Sequence, residues 1–387
     1  MHEGWPESLG PVICVVGARP NFIKMAPILR AFSDNSLPIP YRLVHTGQHY
    51  DHAMSDNLFE ELQLPRPDIN LEVGSASHAV QTAEIMLRFE PVLDQFSPAC
   101  VLVVGDVNST LACALVAQKK GIPVVHVEAG LRSGDRSMPE EINRILTDQI
   151  AELLYTTERA ATDNLRREGI DIASIRFVGN VMIDSLHHHR NAYRKAEDCL
   201  VAAGIDPRLI SDADAYGVVT LHRPSNVDNG QILGLLLDTL REISENLPLV
   251  FALHPRTRQK IAEFHLTDKI DSKRMILVPP QGYLEMLGLL ADAKIVLTDS
   301  GGLQEEATAL GVPCLTLRDT TERPITVSQG TNIVVGQDID AIRFHAGEIL
   351  AGRGKAGKIP EYWDGQAARR IAADLSEWLI KNHKQPH

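Results

Sequence analysis

The sequence of 387 residues has no excess of positive charge, because 38 lysines and arginines stand against 50 aspartates and glutamates, a net charge of −12. A general nucleic-acid-binding protein normally carries a basic surface, so this balance argues against that class. It does not exclude an anionic ligand, because a few local cations and helix N-termini can bind one whatever the global charge.

Cysteine is scarce, with 5 widely spaced residues that form no Cys-x-x-Cys pair. This pattern argues against a disulfide framework and a zinc site, and it favours a reducing compartment. No apolar stretch approaches the roughly 20 residues that a membrane-spanning helix needs. The start of the chain is polar, and the apolar run after it is broken by Gly17, Arg19 and Pro20, unlike a signal peptide. We therefore expect a cytoplasmic protein without a membrane partner.

The sequence also has no low-complexity segment, no short repeat and no Gly-x-Gly-x-x-Gly motif after the first strand of either half. The missing glycine motif argues against NAD. His187, His188 and His189 are consecutive, but neighbours on a helix point about 100° apart, so we expect no metal site there. The chain does have an ordinary globular composition, 44% apolar and 23% charged, and a length suited to two domains.

Apolar runs alternate with helical patterns, which predicts an α/β fold with parallel sheets. In the first half, strands are predicted at 11–17, 41–46, 99–105 and 122–127, and helices at 22–32, 79–96, 110–119 and 139–154. In the second half, strands are predicted at 217–221, 249–253, 275–278, 295–298 and 312–317, and helices at 232–246, 283–291 and 304–310. A polar stretch near 181–212 separates the halves, and a last helix at 365–380 can pack on either.

The densest group of charges runs from His126 to Arg144, with the sequence HVEAGLRSGDRSMPEEINR, directly after a predicted buried strand. Open α/β sheets place their ligands at the carboxyl ends of strands, so this density indicates a reaction site. The alternative is a solvated loop with surface ion pairs.

Asp106 and Glu128 each follow a predicted strand, and adjacent strands lie about 4.8 Å apart, so the two carboxylates can share one cleft. Glu140 and Arg144 are four residues apart and lie on one helix face. Paired carboxylates whose pKa values differ are candidates for general acid–base catalysis. The alternative is a capping aspartate and a surface ion pair.

Two strand–helix junctions carry groups suited to a diphosphate. Gly17 leads into a helix with Arg19 and Lys24, whose cations add to the anion preference of the helix N-terminus. Ser300-Gly301-Gly302 begins a later helix, where free N–H groups can hold phosphate and the Glu306 carboxylate can accept from ribose hydroxyls. The alternatives are ordinary turns and a capped helix.

Two further candidates follow strands of the second half. His222, after the strand at 217–221, can act as an acid or steady a leaving phosphate, and His254 is a weaker version of the same case. Arg323 can bind phosphate bidentately. The alternatives are core histidines and a loop with internal ion pairs.

Taken together, these motifs resemble the non-hydrolysing UDP-N-acetylglucosamine 2-epimerase family. The matching segments follow the family's order over nearly the whole chain. They are GARPNFIKMAP at 17–27, TGQHYD at 46–51, GDVNST at 105–110, HVEAGLRSGDRSMPEEINR at 126–144, GNVMIDS at 179–185, TLHRPSNVDN at 220–229, DSGGLQEEA at 299–307 and RDTTERP at 318–324.

The resemblance implies two Rossmann-like domains of the glycosyltransferase-B type, at 1–185 and 186–365, with the active site in the interdomain cleft and a C-terminal helix at 366–387 that can return to the first domain. It implies epimerisation of UDP-N-acetylglucosamine to UDP-N-acetylmannosamine, for cell-surface polysaccharide precursors, by elimination of UDP to 2-acetamidoglucal and re-addition. No cofactor is implied. The family is usually homodimeric.

The same resemblance assigns roles to residues. The implied catalytic group is Asp106, Glu128, Glu140, Arg144 and His222. The implied UDP contacts are Arg19, Lys24, Gln281, Ser300, Gly301, Gly302, Glu306 and Arg323. Three carboxylates would transfer protons, His222 would stabilise the departing diphosphate, and Arg144 would orient Glu140 or bind leaving-group charge. The other charges of the dense segment are interpreted as solvated, namely Arg132, Asp135, Arg136 and Glu141.

Two positions depart from the family pattern. Tyr50 stands where many bacterial members have a basic residue, and Pro224-Ser225 replaces Arg-Glu after His222-Arg223. This neighbourhood belongs to a second, regulatory substrate site in some members, so activation by substrate does not carry over from the resemblance. The alternatives are a 2-epimerase of a modified sugar such as UDP-2,3-diacetamido-2,3-dideoxyglucuronate, a glycosyltransferase of the same architecture, and a non-catalytic nucleotide-sugar sensor.

Overall fold

The computed structural model describes residues 5–6, 8–34, 38–48, 58–213, 215–270 and 273–383. The chain forms two compact units, Met1–His188 with Glu361–His387, and His189–Pro360. Each unit contains one sheet whose strands are all parallel, and helices connect the strands. The predicted α/β class with two Rossmann-like domains is confirmed.

The sheet of the first unit has seven strands in the order β3-β2-β1-β4-β5-β6-β7. The strands are β1 Val12–Val16, β2 Tyr41–His45, β3 Ile69–Asn70, β4 Cys100–Val104, β5 Val124–Ala129, β6 Leu153–Thr156 and β7 Ile175–Phe177. The helices of this unit are α1 Arg19–Phe32, α2 His78–Phe96, α3 Asn108–Lys119, α4 Pro139–Ile150, α5 Arg159–Arg167, α6 Val181–His189 and α16 Ala367–His383. The central strands β1, β4 and β5 are buried along their whole length, as expected of parallel strands covered on both faces.

The sheet of the second unit has six strands in the order β10-β9-β8-β11-β12-β13. The strands are β8 Gly217–Thr220, β9 Leu249–Ala252, β10 Met275–Val278, β11 Ile295–Thr298, β12 Cys314–Thr316 and β13 Asn332–Val334. The helices are α7 Ala196–Ala202, α8 Arg208–Ser211, α9 Pro224–Val227, α10 Gly230–Ser244, α11 Pro255–Glu263, α12 Tyr283–Ala291, α13 Gly301–Leu310, α14 Pro324–Ser328 and α15 Ile339–Leu350. Apolar clusters cover both faces of this sheet.

Both sheets reverse their strand order at the centre, between β1 and β4 and between β8 and β11. In open parallel sheets ligands bind at the carboxyl ends of strands beside such a reversal. The residues at these ends are Gly17, Asp106, His222 and Asp299. The topology therefore brings candidate residues to the expected binding edge of each unit.

The predicted helix at 139–154 is wrong at its end, because α4 stops at Ile150 and Leu153–Thr156 is strand β6. Ala151 is extended, and the Glu152 carboxylate accepts the Val124 N–H at 2.6 Å, which ties the chain to β5. Leu153 and Leu154 continue the helical spacing of apolar residues, so periodicity alone does not separate this strand from the helix.

The orientation of α4 also differs from the amphipathic pattern. Its apolar residues Ile142 and Leu146 are each 46% exposed, while Glu141 and Arg144 are 2% exposed. The helix thus buries charged residues against the rest of its unit. Each buried charge needs a partner of opposite charge or several hydrogen bonds.

Helix α16 belongs to the first unit and is held there by carboxylates. Asp184 accepts the N–H groups of Ala367 and Ala368 at 3.1 and 2.7 Å, and burial raises its pKa to about 6. Tyr155 donates to Asp374 at 2.9 Å, next to an ion pair of Arg176 with the same carboxylate. Among the described helices, none has the length and apolar character needed to cross a membrane.

Gly130, directly after β5, provides a test of the packing at the carboxyl end of that strand. Its φ is +80°, and a Cβ there would overlap the Ala161 carbonyl oxygen. We expect Gly130→Ala to lower the free energy of unfolding by about 2–4 kcal/mol, from left-handed strain and the clash together. Gly121→Ala is the control, since Gly121 has a φ of +69° but open space around it, and should cost about 1 kcal/mol. Urea unfolding measures both, and equal losses would contradict the packing argument.

Candidate active site

Glu128 has an unusual backbone conformation near the end of strand β5, in the sheet of the first unit. Its φ is +72°, and the pairing of β5 with β6 shifts register between Val127 and Ala129. A non-glycine residue in this region costs on the order of 1–3 kcal/mol, and such strain is concentrated at functional sites. A bulge redirects a side chain, and here it redirects a carboxylate.

Lys24 is the buried partner of that carboxylate. Its Nζ lies 2.6 Å from Glu128 Oε2, and the two side chains are 5% and 2% exposed. The Gly105 turn leaves room for the amine, because a Cβ there would lie 2.9 Å from Nζ. Lys24 therefore lies inside the unit against Glu128, and the UDP contact that the family resemblance implies for it stays a prediction.

Arg144 joins Asp106 to Glu141. Its guanidinium donates to the Asp106 carboxylate, and to Glu141 Oε2 from Nη2 at 2.6 Å and Nε at 3.1 Å. The i,i+3 neighbour Glu141 is thus bonded here, where the sequence predicted the i,i+4 neighbour Glu140. Glu140 is partly buried in the first turn of α4.

The backbone around Asp106 is fixed by residues that the sequence analysis missed. Asn143 donates to the Asp106 carbonyl at 2.9 Å. The ring of His126 lies 2.8 Å from the Gly105 carbonyl through Nε2 and 2.7 Å from Asp148 through Nδ1. The sequence could have indicated Asn143, because it lies about one helical turn from Glu140. It could not have indicated His126, because a histidine within an apolar strand resembles any core residue.

Arg132 is a second charge that the sequence interpreted as solvated. Its Nη2 lies 2.7 Å from the buried carboxylate of Asp148, and it also pairs with Glu168. The interpretation of Arg132 and Glu141 as solvated charges is wrong, because both belong to buried ion pairs.

In the second unit His222 and Asp299 form a dyad. His222 Nδ1 lies 2.9 Å from Asp299 Oδ1, and Asp299 also accepts the N–H groups of His222 and Arg223 at 2.9 Å. Burial raises the pKa of Asp299, but the hydrogen bond and charge of His222 and the backbone donors together hold it below its usual value. The ionised carboxylate fixes a ring that remains about one-third exposed.

The start of α13 carries the candidate diphosphate cradle. Ser300 is the N-cap and its side chain makes no capping bond, so the first N–H groups of the helix keep their affinity for an anion. A Cβ on Gly301 would lie 2.5 Å from Glu322 Oε1, so glycine is needed for this close approach.

The remaining candidates of this unit are mostly held by partners of their own. Arg323 pairs with Glu305 at 2.9 Å, and both side chains are buried. Glu306 is 4% exposed, and Gln281 donates to the Pro279 carbonyl at 2.7 Å. Arg323 is therefore already paired with a carboxylate. His254 caps α11 by accepting the Arg256 N–H at 3.2 Å.

A family profile described as UDP-N-acetylglucosamine 2-epimerase matches residues 33–376. The chain belongs to the UDP-N-acetylglucosamine 2-epimerase family. It is 44% identical to the UDP-N-acetylglucosamine 2-epimerase of Methanocaldococcus jannaschii, over 94% of this chain and 98% of that protein. It is 39% identical to the UDP-2,3-diacetamido-2,3-dideoxy-D-glucuronate 2-epimerase of Pseudomonas aeruginosa, over 95% of this chain and 99% of that protein.

Solved structures agree with this family. The crystal structure of the M. jannaschii UDP-GlcNAc 2-epimerase in complex with UDP-GlcNAc and UDP matches with a TM-score of 0.85 and 42% identity, covering 95% of this chain and 99% of that one. A lipopolysaccharide outer core galactosyltransferase matches with a TM-score of 0.51 and 14% identity, covering 96% of this chain and 98% of that one, which shows a shared fold alone.

Of the two departures from the epimerase family pattern, the structure describes one. Pro224-Ser225 begins the short helix α9, where proline suits the first position. Tyr50 lies outside the described residues.

The buried Lys24–Glu128 pair gives a stability prediction. Lys24→Met leaves a buried carboxylate without this cation, so we expect the free energy of unfolding to fall by about 3–5 kcal/mol. Lys24→Met with Glu128→Gln removes both charges and should recover most of the loss. Urea unfolding of the two singles and the double gives the coupling energy.

The half-exposed pair Arg42–Asp68, 3.2 Å apart, is the matched control for that cycle. Arg42→Met should cost less than about 1 kcal/mol, since water screens that pair. If the losses of the two buried single variants simply add in the double variant, the proposed coupling is wrong.

Proposed function

We propose that this protein interconverts UDP-N-acetylglucosamine and UDP-N-acetylmannosamine by epimerisation at C2. The observation that carries the proposal is the pair Asp106 and Glu128. They follow or end the neighbouring strands β4 and β5, and each is bonded to a cation, Arg144 or Lys24. The membership of the chain in a 2-epimerase family supports the same reaction.

The chemistry requires two proton transfers at one carbon. A base removes the C2 proton as the C1–oxygen bond to UDP breaks, which gives 2-acetamidoglucal. Re-addition of UDP oxygen to C1, with a proton delivered to the other face of C2, gives the epimer. In our proposal Asp106, Glu128 and Glu140 provide the bases and acids. The electrons stay within the substrate, so the reaction needs no redox cofactor.

The second unit supplies the groups for the leaving UDP in this proposal. The N–H groups of Gly301 and Gly302 at the start of α13, next to the Ser300 hydroxyl, suit the negative charge of a diphosphate. His222, oriented by Asp299, would donate a hydrogen bond as negative charge develops on the leaving oxygen. Gln281, Glu306 and Arg323 of the second unit complete this group, and Arg19 and Lys24 of the first unit are the remaining proposed UDP contacts.

A second candidate substrate is UDP-2,3-diacetamido-2,3-dideoxyglucuronate. The P. aeruginosa relative named for that sugar is 39% identical to this chain over nearly its full length. The chemistry at C2 is the same, so both sugars would use the same carboxylates. The two differ in the substituents at C3 and C6, and parallel turnover assays with both sugars decide between them.

Solvent deuterium tests the reaction. In D₂O the protein should incorporate deuterium at C2 of UDP-N-acetylglucosamine and form the manno epimer. Asp106→Asn and His222→Ala should each lower turnover about 100-fold or more, because each removes a group used in the transition state. Asp228→Asn is the control, since Asp228 pairs with exposed Arg256 and has no proposed role.

Three other results would overturn the proposal. Near-native turnover of both Asp106→Asn and His222→Ala would refute the residue roles. Release of UDP with transfer of the sugar to an acceptor would indicate a transferase. Tight binding of UDP-sugars without exchange at C2 would indicate a sensor.

We propose that the partner of this chain is a second copy. Four exposed apolar residues support an interface on the first unit, where α2 and α4 both pack against α3. These are Val80 and Leu87 on α2, 53% and 67% exposed, and Ile142 and Leu146 on α4. Apolar area of this kind marks association surfaces.

Light scattering with size-exclusion chromatography tests this dimer. The wild type should have the mass of a dimer, and Leu87→Glu with Leu146→Glu should give a monomer, because buried charges without partners oppose association. Phe344→Glu is the control, since Phe344 is 62% exposed on the second unit. A monomeric wild type, or a dimer lost only in Phe344→Glu, would contradict the interface.

We propose a cytoplasmic location for this reaction. All five cysteines are buried free thiols, a state that a reducing compartment maintains.

A further inference from the structure

We propose that Glu141 is a positioning residue of the epimerase site, which holds Arg144 against Asp106 and fixes the segment between Glu128 and Glu140. The inference rests on the proposed function, because Asp106 matters only if it acts on substrate. It assigns different tasks to the adjacent carboxylates Glu140 and Glu141.

The first observation is the burial of Glu141 and the number of its bonds. The residue is 2% exposed although it carries a carboxylate on a helix whose apolar side faces outward. Its Oε2 accepts Nε and Nη2 of Arg144 at 3.1 and 2.6 Å. Such a charge is retained in a protein interior only where donors replace the lost water.

The second observation is the attachment of the preceding loop. Glu141 Oε2 accepts the Ser133 N–H at 3.0 Å, and Oε1 accepts the Gly134 N–H at 2.9 Å. This loop joins β5, which contains Glu128, to α4, which contains Glu140. One side chain therefore sets the relative position of both elements that carry proposed catalytic carboxylates.

The third observation is the charge balance around Arg144. Burial raises the pKa of Glu141, but the Ser133 and Gly134 N–H groups and Arg144 together hold it below its usual range. Arg144 consequently faces two anions, Glu141 and Asp106. With Glu141 ionised, the guanidinium of Arg144 is held between the two carboxylates, so its position against Asp106 depends on Glu141.

The geometry also separates Glu141 from the reacting atoms. Both of its oxygens already accept hydrogen bonds from the loop or from Arg144. Neighbouring residues on a helix point about 100° apart, and Glu140 is more exposed than Glu141. Glu140 thus retains the proposed proton-transfer role, and Glu141 acts through Arg144.

Glu141→Gln tests the proposal, because glutamine keeps the size of the side chain and removes its charge. We expect kcat for epimerisation to fall about 10- to 100-fold, with KM changed less than about threefold. The loss should fall on kcat and hardly on KM, because Arg144 then holds the Asp106 carboxylate less firmly while the proposed UDP contacts stay in place. A merely structural role would lower the free energy of unfolding without this division between kcat and KM.

Two further variants separate charge from geometry. Glu141→Asp keeps the charge but shortens the reach, so kcat should recover only part of the loss seen in Glu141→Gln. Glu361→Gln is the matched control, because Glu361 accepts Arg159 Nε at 2.7 Å in an exposed ion pair of the same unit and has no proposed role. Its kcat and KM should equal those of the wild type.

Amide hydrogen exchange provides a readout that needs no activity. Ser133 and Gly134 should exchange faster in Glu141→Gln than in the wild type, because both lose an ionised acceptor. An active wild type together with an unaltered kcat in Glu141→Gln would overturn the positioning role. A wild type without epimerase activity would refute the proposed function instead, and unchanged exchange at Ser133 and Gly134 would then refute the loop attachment independently.

Discussion

A carboxylate removed from water needs a cation or several hydrogen-bond donors in its place, since the unpaired charge costs several kcal/mol. This constraint organises the edge of the sheet in the first unit. Glu128 has Lys24, Asp106 has Arg144, and Asp148 has Arg132 with His126. Each partner comes from a different segment, so the requirement for pairing fixes α1, α4 and the loop after β5 around the same strand ends.

The two units apply one topology to two kinds of chemistry. In each, the strand order reverses at the centre of a parallel sheet, and polar residues occupy the ends of the strands beside that reversal. In the first unit these residues are carboxylates held by buried cations. In the second unit they are a histidine held by a carboxylate and a helix start without a side-chain cap. The sheet supplies a rigid support in both units, and the residues at the strand ends make the two edges chemically different.

Much of the fold follows from local patterns in the sequence, because buried parallel strands are continuous apolar runs and their helices have a distinct period. The patterns fail where pairing with a distant segment determines the secondary structure. Leu153–Thr156 continues a helical spacing of apolar residues but forms a strand that pairs with β5. The predicted topology indicates which candidate residues follow strands, but it does not indicate which cations pair with them. Whether Arg144 bonds Glu140 or Glu141 depends on which side of α4 faces its unit, and the apolar residues of that helix indicated the wrong side.

The attachment of α16 has a consequence for the order in which the protein becomes complete during synthesis. Asp184 and Tyr155 precede the second unit in the chain, yet their bonding partners Ala367, Ala368 and Asp374 follow it. Domains often fold as they leave the ribosome, N-terminal first. Here the whole second unit is synthesised before α16, so the first unit lacks the partners of Asp184 and Tyr155 until the second unit has left the ribosome.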